Sequence, residues 1–315
     1  LKLFGFGGGS APDPAKQARD EASQESIRNG GLPLNAIDRL SEQRRREQAG
    51  KPFFTSDLSP SELLLTHECG FVPVGQVMGS CIYHVGWQFV NQSFWGYGSQ
   101  EMATLTQSQY DARILAFSRL RQEAKLLGAD GVVGVRFTRT SSDFSSQDIE
   151  FMAIGTAVRR LGAPPLPANR EPFVSNLSGQ DHWMLRRAGM APLGFVFGTC
   201  AWYQYPDWRT GNAMMSWSNV ELTSLSQGLY TARELAMDRM EAEGRSLAAR
   251  GVVGVTFETH HEHLEQSQNN PGGFIMHFTA WGTAIGPDPV YGTAPGANAQ
   301  RIDIDFNLPI GPEPT

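Results

Sequence analysis

The densest run of side chains able to hold a metal is Thr259-His260-His261-Glu262-His263. On a strand, residues two apart share a face, so His261 and His263 would point together, with His260 beside them; neutral imidazoles suit zinc, copper or nickel. A second kind of chemistry is offered by Tyr110 with Arg113, three apart and hence on one face of a helix, and again by Tyr230 with Arg233. A guanidinium next to a phenol grips an anion, or it clamps carbonyls and carboxylates of an adjacent strand or subunit. The third group is aromatic. Trp87, Trp95, Trp208 and Trp217 lie in polar connections, and such loops either fold back as a lid or present anchors to another chain.

The elements that must position these residues come in duplicate. Tyr110, Ala112, Arg113, Ala116, Arg119, Glu123, Leu127, Ala129 and Gly131-Val-Val-Gly-Val all have identical partners 120 residues further on. Upstream, Gly75, Val77, Gly79 and Cys81 answer Gly194, Val196, Gly198 and Cys200; downstream, Gly155-Thr156-Ala157 answers Gly282-Thr283-Ala284. An internal repeat of this length is one small domain copied. Within each copy the spacing predicts a short strand at Phe53-Phe54-Thr55, a helix capped by Ser59 with Glu62 (Ser178 with Asp181 in the second copy), and a strand over 71–83. That strand puts its glycines and a small cysteine on one face, a groove for a closely packed helix. A long helix over 105–127 follows, then a hairpin of strands over 131–140 and 149–158. The fold class is therefore α+β: two tandem repeats, each an antiparallel sheet packed against one long helix plus a short capped helix. The division reads as a polar helical or disordered N-terminal arm at 1–51, repeats at 52–160 and 172–286, a proline-stiffened linker at 161–171 and a Gly/Pro-rich tail at 287–315, where RIDIDF at 301–306 alternates like an added strand. The apolar stripe Leu34, Ile37, Leu40 marks the arm either as a surface helix or as a docking element for a neighbour.

Composition narrows the function. The 315 residues, 40% apolar, suffice for two modest cores, and a net charge of −6 lacks the basic footprint that nucleic acid requires. No stretch approaches the ~20 apolar residues of a membrane helix. Three cysteines without a CxxC suit a reducing, cytoplasmic setting. The first residue is Leu1 rather than Met, which leaves room for a leader removed upstream. GxSxG and HExxH are absent, and LFGFGGGS lacks the Lys-Ser/Thr of a phosphate loop. The histidine run has no counterpart in the first copy, whose turn reads SSDFSSQD, and the recurring Arg119/Glu123 pair is accounted for by its helical spacing.

The ordered series G-x-V-x-G, Y-x-A-R-x-x-A-x-x-R-[LM]-x-x-E, [AG]-x-G-V-V-G-V and G-T-A, present twice, resembles the YbjQ or heavy-metal-binding domain family over both repeats. The resemblance implies a helix against an antiparallel sheet and self-association into closed rings, commonly pentamers; the family's metal label implies no ligand set that can be placed on this sequence. The expectation is a self-assembling structural or interaction protein, a homo-oligomer with room for another protein partner and without catalytic activity or a bound cofactor. The alternative is a transition-metal-binding protein using His260, His261 and His263. An enzyme would have to build a concave site around one of the Tyr/Arg couples.

Overall fold

The computed structural model describes residues 13–84, 98–141, 148–167, 169–205, 207–264 and 272–287. Two arm helices come first, α1 (Pro14–Arg28) and α2 (Leu34–Gln48). Repeat 1 then runs α3 (Pro60–Glu68), β1 (Phe71–His84), β2 (Gln100–Glu101), α4 (Ala103–Leu126), β3 (Gly131–Ser141) and β4 (Asp148–Arg160). Repeat 2 follows as β5 (Phe173–Val174), α5 (Gly179–Arg187), β6 (Met190–Gln204), α6 (Trp208–Met214), α7 (Thr223–Ser246), β7 (Gly251–Leu264) and β8 (Gly273–Pro287). Both short helices begin on capping boxes, Ser59 with Glu62 and Ser178 with Asp181, which satisfy orphan amide groups of the first turn.

Each long helix lies on its own sheet at a glycine. A Cβ on Gly79 would meet the Ala116 carbonyl oxygen at 1.9 Å, and one on Gly198 would meet that of Ala236 at 1.9 Å. Glycine therefore sets the helix–sheet distance in both copies. Both second strands also shift register where the Gly-Val-Val-Gly-Val motif passes through Gly134 (φ +62°) and Gly254 (φ +61°), a backbone state open to glycine.

The sheets, however, are not confined to single repeats. Their strand orders are β1-β4-β3-β5 and β2-β6-β8-β7, so each repeat donates a two-residue strand to the other's sheet. β2 of repeat 1 pairs antiparallel with Tyr203 and Trp202 of β6, and β5 of repeat 2 pairs in parallel with Gly131 and Val132 of β3. Nor is the main core confined to one repeat, although a smaller buried cluster with Val196, Cys200, Ala236, Met240 and Phe278 belongs to repeat 2 alone. The largest buried cluster joins Phe117, Phe137 and Phe151 of repeat 1 with Phe195, Phe197 and Trp281 of repeat 2, and Phe137 is within 6 Å of all five of those other rings. The Phe53-Phe54-Thr55 strand expected from sequence is not formed. Its counterpart in repeat 2 is a strand because β3 lies beside it; two or three residues hold an extended ladder only against a partner edge.

The arm folds back on its own chain. Leu40 is fully buried in the shared core, while Arg39 bonds Glu123 and Gln43 bonds the Val74 carbonyl. The tail at 288–315, with its alternating segment, lies outside the described residues.

Candidate functional site

The richest concentration of buried polar groups lies where repeat 1 meets repeat 2. Helix α4 runs along the edge of β6 and delivers side chains from successive turns, since positions three and four apart stay on one face. The Thr106 hydroxyl accepts from the Ala201 amide at 3.0 Å, the Tyr110 phenol oxygen accepts from the Thr199 amide at 3.2 Å, and Arg113 Nη2 donates to Glu243 Oε1 at 2.8 Å. The other carboxylate oxygen of Glu243 accepts from the Phe197 amide at 2.8 Å, so that one carboxylate ties the helix of repeat 1 to the strand of repeat 2. Arg113 also lies over the Phe197 ring, 5.1 Å from its centroid. On the other side, Arg239 of α7 forms a two-pronged pair with Glu101 of β2 at 2.7 and 2.8 Å and donates to the Thr199 carbonyl. That guanidinium holds the Glu101 carboxyl below its usual range.

Deeper in the junction is a closed network. The Gln109 amide donates to His277 Nδ1 at 2.8 Å, and its carbonyl oxygen accepts from the Thr199 hydroxyl at 2.5 Å. With Nδ1 accepting, His277 carries its proton on Nε2, which faces Glu262 Oε1 at 3.2 Å. Complete burial pushes the His277 imidazole down to about 4, which keeps it neutral. Arg139 of β3 is buried in the field of Glu262 and Glu258, with burial lowering its pKa. Such a network specifies which surfaces meet, because any other pairing would leave these groups buried and unpaired.

The residues singled out by sequence are divided by this geometry. Tyr110 and Arg113 sit inside the junction, whereas Tyr230 is 63% exposed and Arg233 pairs only with its neighbour Glu234 at the surface. The three histidines do not converge. Strand alternation puts His261 and His263 on the exposed face of β7, while His260 turns to the opposite face with Glu262, its ring 5.8 Å from that of His277. His260 therefore lies on the opposite face of β7 from His261 and His263, since adjacent residues on a strand face opposite ways. Trp208 and Trp217 are largely and fully exposed, at the start of α6 and just beyond it; Trp87 and Trp95 lie outside the described residues. Sequence reading missed Gln109, His277 and Glu101; it took Glu243 as the helical partner of Arg239, whereas Arg239 bonds Glu101 and Glu243 bonds Arg113. The repeat comparison held a signal for two of them, since Gln109 aligns with Leu229 and His277 with Glu150, differences placed where the copies are otherwise alike.

A cavity of about 490 Å³ lies beside the linker, lined in part by Asp130, Arg160, His182 and Arg186. Arg186 is committed to the Cys69 carbonyl, Asp130 accepts from the Arg160 amide at 2.7 Å, and burial holds His182 down to about 4. The three cysteines are free and buried, and burial raises each thiol, Cys200 to about 12, which makes them poor nucleophiles. No helix among the described residues is long and apolar enough to cross a membrane.

Fold and junction together define a class: a tandem α+β protein whose polar side chains are spent on joining one repeat to the next. The chain belongs to the YbjQ family, described as "Putative heavy-metal-binding", whose model matches residues 73–160 and 191–286, more than half of the chain. Among proteins of known name, it is 43% identical over 233 residues to an encapsulin nanocompartment protein of Mycobacterium tuberculosis, spanning 73% of this chain and 85% of that one. Shorter similarities reach UPF0145 proteins of Halorubrum lacusprofundi, 46% identical over 59 residues, and Archaeoglobus fulgidus, 48% identical over 59 residues; each spans 19% of this chain and, respectively, 55% and 53% of the relative. Among the described residues, no group of three or more His, Cys, Asp or Glu side chains is placed to hold an ion.

Proposed function

We infer that this protein is a self-assembling structural or interaction protein: two YbjQ repeats form one rigid unit, and copies of that unit build a closed homo-oligomer, with no reaction catalysed. The observation that carries the reading is how the repeated polar residues are used. Of the polar residues in the repeated series, Tyr110, Arg113, Arg239 and Glu243 are engaged in bonds between or within repeats, while Tyr230 is exposed and Arg233 pairs with Glu234 at the surface. The similarity to a protein named for a nanocompartment supports the same reading, as does the rigid contact between copies within one chain. Buried, unreactive thiols suit a reducing cytoplasm.

Native mass measurement on the purified full chain, combined with particle images, tests this. The expected result is a defined multiple of the 34.6 kDa subunit. A single-subunit mass that does not change with concentration would overturn it.

A further inference from the structure

The internal junction joins unlike faces: the outer side of α4 and the edge of β3 on repeat 1 meet the edge of β6, the flank of α7 and the β5 segment on repeat 2. A contact between unlike faces leaves one of each kind over, because repeat 2 has its own copy of the first face and repeat 1 its own copy of the second. Both leftover faces are partly open. Phe257, the counterpart of Phe137, is 66% exposed where Phe137 is 5% exposed. Met78 and Ile82, the counterparts of the fully buried Phe197 and Ala201, are 44% and 57% exposed. Whereas the Phe173 ring covers Gly131, where a Cβ would meet it at 2.2 Å, nothing among the described residues stands over Gly251, and β7 is the outer strand of its sheet among them.

The polar positions of the leftover face on repeat 1 are held by the arm. Glu123 Oε2 accepts from the Met78 amide at 2.8 Å, as Glu243 Oε2 does from Phe197; Glu123 Oε1 accepts from Arg39 at 3.2 Å, where Glu243 Oε1 accepts from Arg113. Likewise Arg119 donates to the Ile27 and Gly31 carbonyls, where its counterpart Arg239 takes Glu101. Two positions filled by repeat 1 at the internal junction are thus filled by arm groups at the outer one.

We propose that a second copy of this chain docks its repeat 2 onto repeat 1 of the first in the geometry of the internal junction. Arg233 of the second copy replaces Arg39 on Glu123, and Phe54–Thr55 of the first adds in parallel to the outer edge of β7 at Gly251–Val252 of the second. This contact rests on the self-assembly reading and gives it a surface and a direction. It is weaker than the internal junction, because Gln76, Met78 and Ile154 stand where Phe195, Phe197 and Trp281 pack. The Gln109–His277 bond has no copy either, since Leu229 and Glu150 take those places.

In the internal ladder, Gly131 and Phe173 are opposed residues, and opposed strand residues fall within the Cα separation a disulfide spans, ~4.4–6.8 Å. Chains carrying Phe54→Cys and chains carrying Gly251→Cys are therefore mixed under mild oxidation; the native cysteines are buried. A covalent dimer at least about ten-fold more abundant in the mixture than in either chain alone supports the contact. Equal yields throughout overturn it. In sedimentation of full chains, Arg233→Glu, at an exposed position, is expected to weaken association about ten-fold, and Arg39→Ala to tighten it several-fold, with unchanged circular dichroism. A wild-type oligomer unaffected by Arg233→Glu and not cross-linked in the mixture overturns this contact and leaves self-assembly standing. A wild-type chain that stays a single subunit at every concentration removes both.

Discussion

The helices α4 and α7 carry the same Tyr-x-Ala-Arg motif on the same kind of sheet, yet one buries it and the other does not. Tyr110 and Arg113 bond across to Thr199 and Glu243, while Tyr230 faces solvent. The motif is thus a contact surface whose state depends on whether a following repeat lies beside it. Equal local sequence fixes the helix; the neighbour decides its energetic weight.

The most damaging way to probe that asymmetry is to remove matched aromatic rings. Phe137→Ala should cost about 3–5 kcal/mol in denaturant-induced unfolding, because it empties the centre of the shared core. Phe257→Ala should stay within about 1 kcal/mol, as expected for a half-buried or exposed ring. Similar losses from both would mean that the repeats carry independent cores.

Acid should act on repeat 2 before repeat 1. His277 and His182 both have folded pKa values depressed to about 4 by burial, below the ordinary 6.5. Between pH 6.5 and 4 the unfolded chain takes up protons that the folded chain refuses, so stability is full above about 6.5 and is lost as pH falls through this window. Each group contributes on the order of 3 kcal/mol. Around His277, burial opposes the charged form and Glu262 favours it, while Arg139 and His260 oppose it. Melting temperature measured against pH should show this loss, and His277→Gln should flatten it; an unchanged acid limb would place the sensitivity elsewhere.

The ion pairs separate the copies by a smaller amount. Arg113→Ala leaves Glu243 without its cross-repeat partner and should cost about 2 kcal/mol, whereas Arg233→Ala removes a surface pair worth a few tenths. Denaturation midpoints of the two variants would settle the difference, and equal midpoints would argue against the junction. The mildest comparison uses glycine. Gly131→Ala drives a methyl into the Phe173 ring and should cost about 1–3 kcal/mol, while Gly251→Ala meets open space and should be close to neutral in the isolated subunit. A matching loss at Gly251 would show that its face is already covered.

Much of the fold was legible. The caps at Ser59 and Ser178, the small-residue face at Gly75 to Cys81 and the helical stripe of Ala112, Ala116 and Leu120 are short-range signals, read by spacing alone. The junction was not. β2 and β5 are two residues long and carry no periodicity, and nothing in the words Gln109 or His277 announces that residues 168 apart will share a proton-bearing contact. The histidine run drew attention because ligand types cluster in sequence, but strand geometry sends neighbours to opposite faces.

Repetition, helix positions, glycine-set packing distances and the absence of familiar catalytic motifs were determined by the amino-acid order itself, since each depends on residues within a few turns or on comparing the chain with itself. Which copy of each repeated side chain is buried, that the two sheets exchange strands, and that the largest core joins both halves were decided only in three dimensions. The physical reason is that burial and pairing belong to the neighbour across the contact, and two identical motifs acquire different neighbours simply by standing first and second in one chain.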